Sequence, residues 1–175
     1  NELTKIIDDV LYASDIQNIP VNLEPVNICD LIVDISANYR GLLPKDGEMI
    51  VAPASDDIMV NTDHTLLAKA LTLVVDNAVK FAGNSLISIA AKQDDSHTEI
   101  TVSDCGKGIP KDKSEWVFEE FTKVDDFTQG TGLGLAICRE VMKRLNGSIC
   151  IDTNYTCGCR MVINLPLTPG QGTGT

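Results

Sequence analysis

Apolar residues recur along this chain with two periods, and the switches between them mark out its elements. Leu3, Ile6, Ile7, Val10, Leu11 and Ser14 fall on one face of a helix over residues 1–17, with Glu2, Asp8, Asp9 and Asp15 mostly off it. Such a stripe needs a cover, either the domain itself or a partner helix in a bundle. Pro20 ends this helix, and residues 21–26 predict a short strand. Asn27 reads as an N-cap, with Asp30 three residues on, for a helix reaching Tyr39 whose buried side is Leu31, Ile32 and Ile35. Two short strands, 48–52 and 58–60, flank the turn-rich residues 53–57.

The strongest helical pattern runs from Asp63 to Phe81, with Leu67, Ala70, Leu71, Val74, Val75, Ala78 and Phe81 as its apolar face. Lys69, Leu73, Asn77 and Lys80 share a narrow second stripe, in which Leu73 is the apolar exception. Strands are predicted over 86–91 and 98–103, joined by a polar turn at 94–97. Residues 110–129, with Trp116, Phe118, Glu119, Glu120 and Phe121, predict a loop with short helical turns, long enough to act as a lid. A helix follows from Gly130, with Ile137, Val141 and Leu145 along one face and Met142 beside them. Residues 147–152 and 159–165 close the chain as an antiparallel pair that Pro166 stops.

With 175 residues the chain can form one domain with a core, or one domain and an appendage. Its hydrophobic content of 43% and charged content of 22% are those of a globular domain. A net charge of −11 argues against nonspecific binding to nucleic acid or to an anionic membrane. No run of 18 apolar residues occurs, so no membrane span is expected. The chain starts inside a helical pattern without Met, which reads as a fragment of something longer, and the tail 169–175 is small and polar. Six cysteines are expected as reduced, structural thiols; Cys157 and Cys159 form one close pair without a second at zinc-finger spacing.

Candidate chemistry centres on three places. Gly130, Gly132 and Gly134 stand just before a helix, whose first turn presents unpaired N–H groups and a positive dipole end. This suits phosphate, or else is a glycine-rich turn without a ligand. The spacing excludes a P-loop and a dinucleotide fingerprint. Asp104, at a strand end before Gly106 and Gly108, can accept a hydrogen bond from an amino group such as that of adenine, or can simply form an Asp-Gly turn. Asn77 and Lys80 can offer an amide oxygen to Mg²⁺ and an ammonium to phosphate, or can form a solvated helix face. His64 and His97 read as surface residues.

Taken in order, Asn77 with Lys80-Phe81, then Asp104-x-Gly106-x-Gly108-Ile109, then Phe118-Glu-Glu-Phe121, then Gly130-Thr131-Gly132-Leu133-Gly134 resemble the N, G1, F and G2 boxes of sensor histidine kinases. The resemblance is to their catalytic and ATP-binding domain, in the GHKL superfamily. By motif it covers residues 60–166. By pattern it extends to the N-terminus, where Leu3–Ile16 and the following Pro-x-x-Leu-x-Pro25 resemble the end of the second dimerisation helix. It implies an α+β fold: a two-layer α/β sandwich of the Bergerat type, its mixed, mostly antiparallel sheet packed on three helices, plus an N-terminal helix. Residues 1–19 would be the end of the dimerisation and phosphoacceptor helix, 20–168 the catalytic domain and 169–175 a flexible tail.

Carried over residue by residue, the resemblance implies that Asn77 ligates Mg²⁺ and that Lys80 and Lys123 approach the phosphates of ATP. Asp104 would read the adenine amine, and Gly106, Gly108 and Ile109 would let the base pack against backbone. Phe118 and Phe121 would anchor a lid formed by residues 111–130. Gly130, Thr131, Gly132, Leu133 and Gly134 would cradle phosphates and hinge it. The implied partners are ATP, a phosphoacceptor helix of the same or the other subunit and a response-regulator receiver domain, with a homodimer in the full-length protein and no nucleic acid. The implied location is cytoplasmic, alone or as the cytoplasmic part of a membrane-anchored sensor. Two departures stand out. Leu73 occupies a position where such kinases often carry a second Asn, and where gyrase-, chaperone- and mismatch-repair-type ATPases carry the Glu that activates water; a leucine cannot act as a base. Neither histidine fits a phosphoacceptor segment, so the acceptor His is expected upstream of Asn1. The alternatives are a non-kinase ATPase of the same superfamily and a degenerate binding module that has lost the nucleotide.

Overall fold

Ile87 and Ile89, Ile100 and Val102, and Met161, Ile163 and Leu165 occupy alternate positions on three neighbouring strands, and all are buried. That period of two makes one face of a sheet, and the long apolar face of residues 63–81 is what covers it. The computed structural model describes residues 2–41, 43, 48–52, 58–83, 85–119 and 133–167. Its main sheet has five strands in the order β2 (Glu48–Ala52), β4 (Leu86–Gln93), β5 (His97–Asp104), β7 (Arg160–Pro166) and β6 (Ser148–Ile151). Only β2 and β4 run parallel; the other pairs are antiparallel. A separate antiparallel pair joins β1 (Glu24–Asn27) to β3 (Met59–Thr62).

The helices are α1 (Glu2–Asp15), α2 (Ile28–Arg40), α3 (His64–Ala82) and α4 (Gly134–Arg144). All seven residues of the predicted apolar face of α3 are buried, as are Ile137, Val141, Met142 and Leu145 at α4. The sandwich implied by the resemblance is therefore present: α2, α3 and α4 lie on the sheet. The predicted cap at Asn27 forms, and the structure adds a second at Asp63, which the sequence reading did not name. The Asn27 side chain accepts from the Asp30 N–H at 3.1 Å, and the Asp63 carboxylate accepts from the Leu66 N–H at 2.9 Å. Asp63 also accepts from the Asn22 N–H at 2.8 Å, which ties the segment after α1 to the start of α3.

Two expectations change. The domain covers Tyr12 and Ala13 of α1 and Ile16 of the 3-10 turn that follows it, with the Lys69 ammonium 4.8 Å from the Tyr12 ring centroid. The predicted stripe stays outside, with Leu3 66% and Leu11 61% exposed. The docked face is a different one: Asp9, Tyr12, Ala13 and Ile16 recur at helical spacing, and Asp9 is 4% exposed, so a more polar face than the predicted stripe meets the domain. The cysteine reading is also corrected. Cys105 and Cys157 form a disulfide, while Cys29, Cys138, Cys150 and Cys159 are free. The register of β5 on β7 pairs Ser103 with Arg160, so residues just past those strand ends face one another, and the Cys105 and Cys157 Cα atoms lie 4.8 Å apart.

Candidate functional site

The inward row of β5 is Thr98, Ile100, Val102 and then Asp104, all buried. A carboxylate thus takes the place where the strand's alternation calls for one more apolar residue, pointing at the helix layer. Asp104 is 3% exposed. Its Oδ1 accepts from the Gly106 N–H at 2.9 Å and the Cys159 N–H at 3.3 Å, while Oδ2 has no hydrogen bond among the described residues. Burial pushes its pKa above the usual carboxylate range, and the two backbone donors oppose that shift. Its main chain is held as well: Asp104 N–H donates to the Cys159 carbonyl at 2.8 Å, and the Tyr155 hydroxyl donates to the Asp104 carbonyl at 3.0 Å.

The loop beyond Asp104 lies against the end of α3. A Cβ built at Gly106 would collide with the Phe81 carbonyl oxygen, so glycine is required there by backbone packing. Gly108 has φ of +72°, a left-handed conformation that favours glycine. Lys107 reaches back over the Phe81 ring, 4.9 Å from its centroid, and Ile109 is half-buried against the core. The same end of α3 bears Asn77 and Lys80. The half-buried Asn77 amide makes no hydrogen bond among the described residues, and Lys80 pairs with Asp76 at 2.9 Å. Leu73, one turn earlier, is 9% exposed. Its Cδ2 would lie 3.7 Å from a Cβ built at Gly134, so the two helices meet at this point.

Leu133 is buried at the start of α4, which begins at Gly134 rather than at Gly130. The described part of the predicted lid holds two 3-10 turns, Lys111–Lys113 and Trp116–Phe118. Phe118 is buried and lies 6.0 Å from the Arg139 guanidinium on α4. Glu120, Phe121, Lys123, Gly130, Thr131 and Gly132 lie outside the described residues. The structure thus brings together Asn77, Lys80, Asp104, Gly106, Gly108 and Ile109 around the C-terminal ends of α3 and β5, with Leu133 and Gly134 facing them across Leu73. Chemically the cluster offers one carboxylate oxygen as acceptor and one uncommitted amide. Sequence reasoning missed Gly158, Cys159 and Tyr155, which hold Asp104; the only signal for them was the strand register.

A sequence-family model described as "Histidine kinase-, DNA gyrase B-, and HSP90-like ATPase" matches residues 62–169. Sensor histidine kinase RcsC of Escherichia coli (strain K12) is 30% identical over 177 residues, which cover 97% of this chain and 19% of RcsC. The chain thus spans about a fifth of that relative's length. Among solved structures, the mycobacterial sensor histidine kinase MprB superposes with a TM-score of 0.74 at 29% identity, covering 83% of this chain and 97% of that one. Full-length ShkA in complex with AMPPNP shares the fold with a TM-score of 0.84 at 24% identity, over 95% of this chain and 36% of that one.

Proposed function

The chain belongs to the histidine kinase-, DNA gyrase B- and HSP90-like ATPase family, and from that premise we propose that it is the ATP-binding catalytic part of a sensor histidine kinase. The observation that carries the reading is Asp104: one carboxylate oxygen is fixed by two backbone donors, and the other is left to accept from a ligand. An adenine amine fits that acceptor, through a charge-assisted bond worth about 1.5–3 kcal/mol. The uncommitted Asn77 amide and the nearby Lys80 fit the other end of such a nucleotide. Asn77 would hold Mg²⁺ together with the phosphates, and the metal would neutralise phosphate charge. Lys80 would exchange its Asp76 partner for a phosphate. The glycines from Gly130 to Gly134 and Lys123 would serve the phosphates, and residues 111–130 would close over them.

The γ-phosphoryl group of ATP would pass in line to an imidazole nitrogen of a histidine outside this sequence, with ADP as the leaving group. From there it would go to an aspartate of a response regulator's receiver domain. Residues 1–19 would be the end of the helix that carries or abuts the acceptor, in a dimer of the full-length protein. Leu73 favours transfer over hydrolysis, since it fills with a buried apolar side chain the position where the water-activating ATPases of this family carry a Glu. Among the described residues no helix is long and apolar enough to cross a membrane.

Calorimetry with a nonhydrolysable ATP analogue, with and without Mg²⁺, tests the binding step. Micromolar, Mg²⁺-sensitive binding is expected, and its absence would overturn the reading. Addition of a histidine-bearing phosphoacceptor segment should then give acid-labile phosphoprotein with little free phosphate. Rapid phosphate release without an acceptor would instead mark a hydrolase.

A further inference from the structure

Apart from its ladder pairing with Ile87 of β4, the long-range contacts described for Asp104 come from one turn, residues 155–159, between β6 and β7. Tyr155 bonds its carbonyl at 3.0 Å, and Cys159 donates to Oδ1 at 3.3 Å. Gly158 lies so close that a Cβ built there would be 2.8 Å from Asp104 Oδ1 and 2.8 Å from the Cys105 Cα. The same turn carries Cys157, joined to Cys105, which directly follows Asp104. Both bridge cysteines are exposed, so small thiols and disulfides can reach them. Tyr155 touches both parts, its hydroxyl also 3.5 Å from the Cys105 sulfur. The neighbouring Cys159 does not compete for the bridge: it is buried, and burial beside Asp104 pushes its thiol pKa up to about 12.

We infer that Cys105 and Cys157 form a reversible thiol–disulfide site through which a small disulfide of the glutathione type tunes nucleotide affinity at Asp104. The inference rests on the nucleotide-binding reading above. The chemistry balances as two exchanges. One cysteine thiolate attacks the small disulfide, forming a mixed disulfide and releasing one small thiol. The second cysteine thiolate then attacks the protein sulfur of that mixed disulfide, forming the Cys105–Cys157 bond and releasing the second small thiol. Two protein thiols are oxidised, one small disulfide is reduced, and excess small thiol reverses both steps. The bridge links residues 52 apart in sequence, so it ties the turn to the loop after β5 independently of the hydrogen bonds. Without it the turn is held to that loop only by its non-covalent contacts, and the Asp104 carboxylate loses its fixed direction whenever they open.

The test equilibrates the whole chain in glutathione buffers of graded oxidation. Alkylation and peptide mass spectrometry read the state of Cys105 and Cys157, and calorimetry reads binding of the Mg²⁺-bound ATP analogue in the same samples. The bridge should form and open reversibly across the series, and the reduced protein should bind about tenfold more weakly or worse. A Cys105→Ser, Cys157→Ser variant, checked as folded by circular dichroism, should bind like the reduced protein and ignore the glutathione ratio. Equal affinity in the two verified redox states would sink the inference and leave the nucleotide site standing. So would tighter binding on reduction, or a bridge that never exchanges. Absence of binding in both states would remove the nucleotide-site reading itself, and this inference with it.

Discussion

Replacing Asp104 by Asn separates the carboxylate's two tasks, because each falls to a different oxygen. Oδ1 accepts two backbone N–H groups, from Gly106 and Cys159. An asparagine must therefore turn its carbonyl oxygen to that side, since its NH₂ would otherwise face two donors. The NH₂ then replaces Oδ2, so a donor stands where the ligand's amine needs an acceptor. Losing a charge-assisted bond of about 1.5–3 kcal/mol weakens binding about 10- to 150-fold, and a donor-to-donor clash sets the upper end. Stability should change little. The Oδ1 bonds become neutral and weaken, which costs about 1 kcal/mol, but the variant no longer buries a charge. A net change of that size moves Tm by about 2–4 °C in a domain of this length. Calorimetry and thermal unfolding on the same samples give both numbers. A purine triphosphate with a C6 carbonyl in place of the amine adds a sharper check, since the variant should bind it no worse than the adenine nucleotide. Affinity for the adenine analogue within about threefold of the unmutated chain, at unchanged Tm, would refute the argument. An unfolded variant would refute it too, since the Oδ1 bonds are argued to survive.

Acidification should weaken nucleotide binding at a higher pH than an ordinary carboxylate would predict, because burial raises the Asp104 pKa above 3.8 and only the ionised form accepts the amine; calorimetry across pH reads this. The same shift gives a signed stability effect. The folded state holds that proton more tightly, so the contribution is full below 3.8 and lost as pH rises through the raised pKa, and urea unfolding should show Asp104→Asn gaining on the unmutated chain over that window. Asn77→Ala should abolish the Mg²⁺ dependence of nucleotide binding while leaving Tm unchanged, as its amide has no hydrogen bond to lose among the described residues. Gly106→Ala should destabilise by about 1–3 kcal/mol in urea unfolding and weaken binding, since its Cβ would meet the Phe81 carbonyl. Asp63→Ala removes the α3 cap and the anchor of Asn22, a loss of about 2 kcal/mol in the same assay.

Side-chain periodicity carried most of the fold, because α3 and the central strands bury whole faces and a buried face leaves an unbroken pattern. The seven apolar positions from Leu67 to Phe81 are all inside. Asp104 was legible as a residue at a strand end, while its place as the next inward residue after Thr98, Ile100 and Val102 came with the structure, whose strand runs one residue further than the predicted 98–103. Pattern failed at α1, where the docked face of Asp9, Tyr12, Ala13 and Ile16 is less apolar than the stripe left exposed. Gly106 was found, but for a different reason: its lack of a side chain answers first to the Phe81 carbonyl, a contact between segments that no local rule displays. Lys80 read as free for phosphate, yet Asp76 stands one turn before it and pairs with it. The supports of Asp104 were out of reach for a similar reason. Tyr155, Gly158 and Cys159 matter through the register of β7 on β5, and register is fixed by both strands at once.

That dependence changes what counts as the site. A carboxylate buried at a strand end cannot keep one oxygen directed outward by itself, since its ionised form is disfavoured there and its side chain is free to turn. Direction comes from Gly106 on its own loop and Cys159 just before the neighbouring strand β7, and the bond to Cys159 exists only while the 155–159 turn stays seated. Gly158 permits that seating, because any side chain there would strike the Asp104 carbonyl. Substitutions in this turn, more than 50 residues from Asp104 in sequence, should therefore act on nucleotide affinity as changes in the Asp-x-Gly motif do. Gly158→Ala, which leaves every motif residue intact, is the direct case: its added methyl forces the turn away from Asp104, so affinity should fall with the loss of the Cys159 bond. If it binds as tightly as the unmutated chain, the motif residues alone fix the carboxylate and the turn is only a connection.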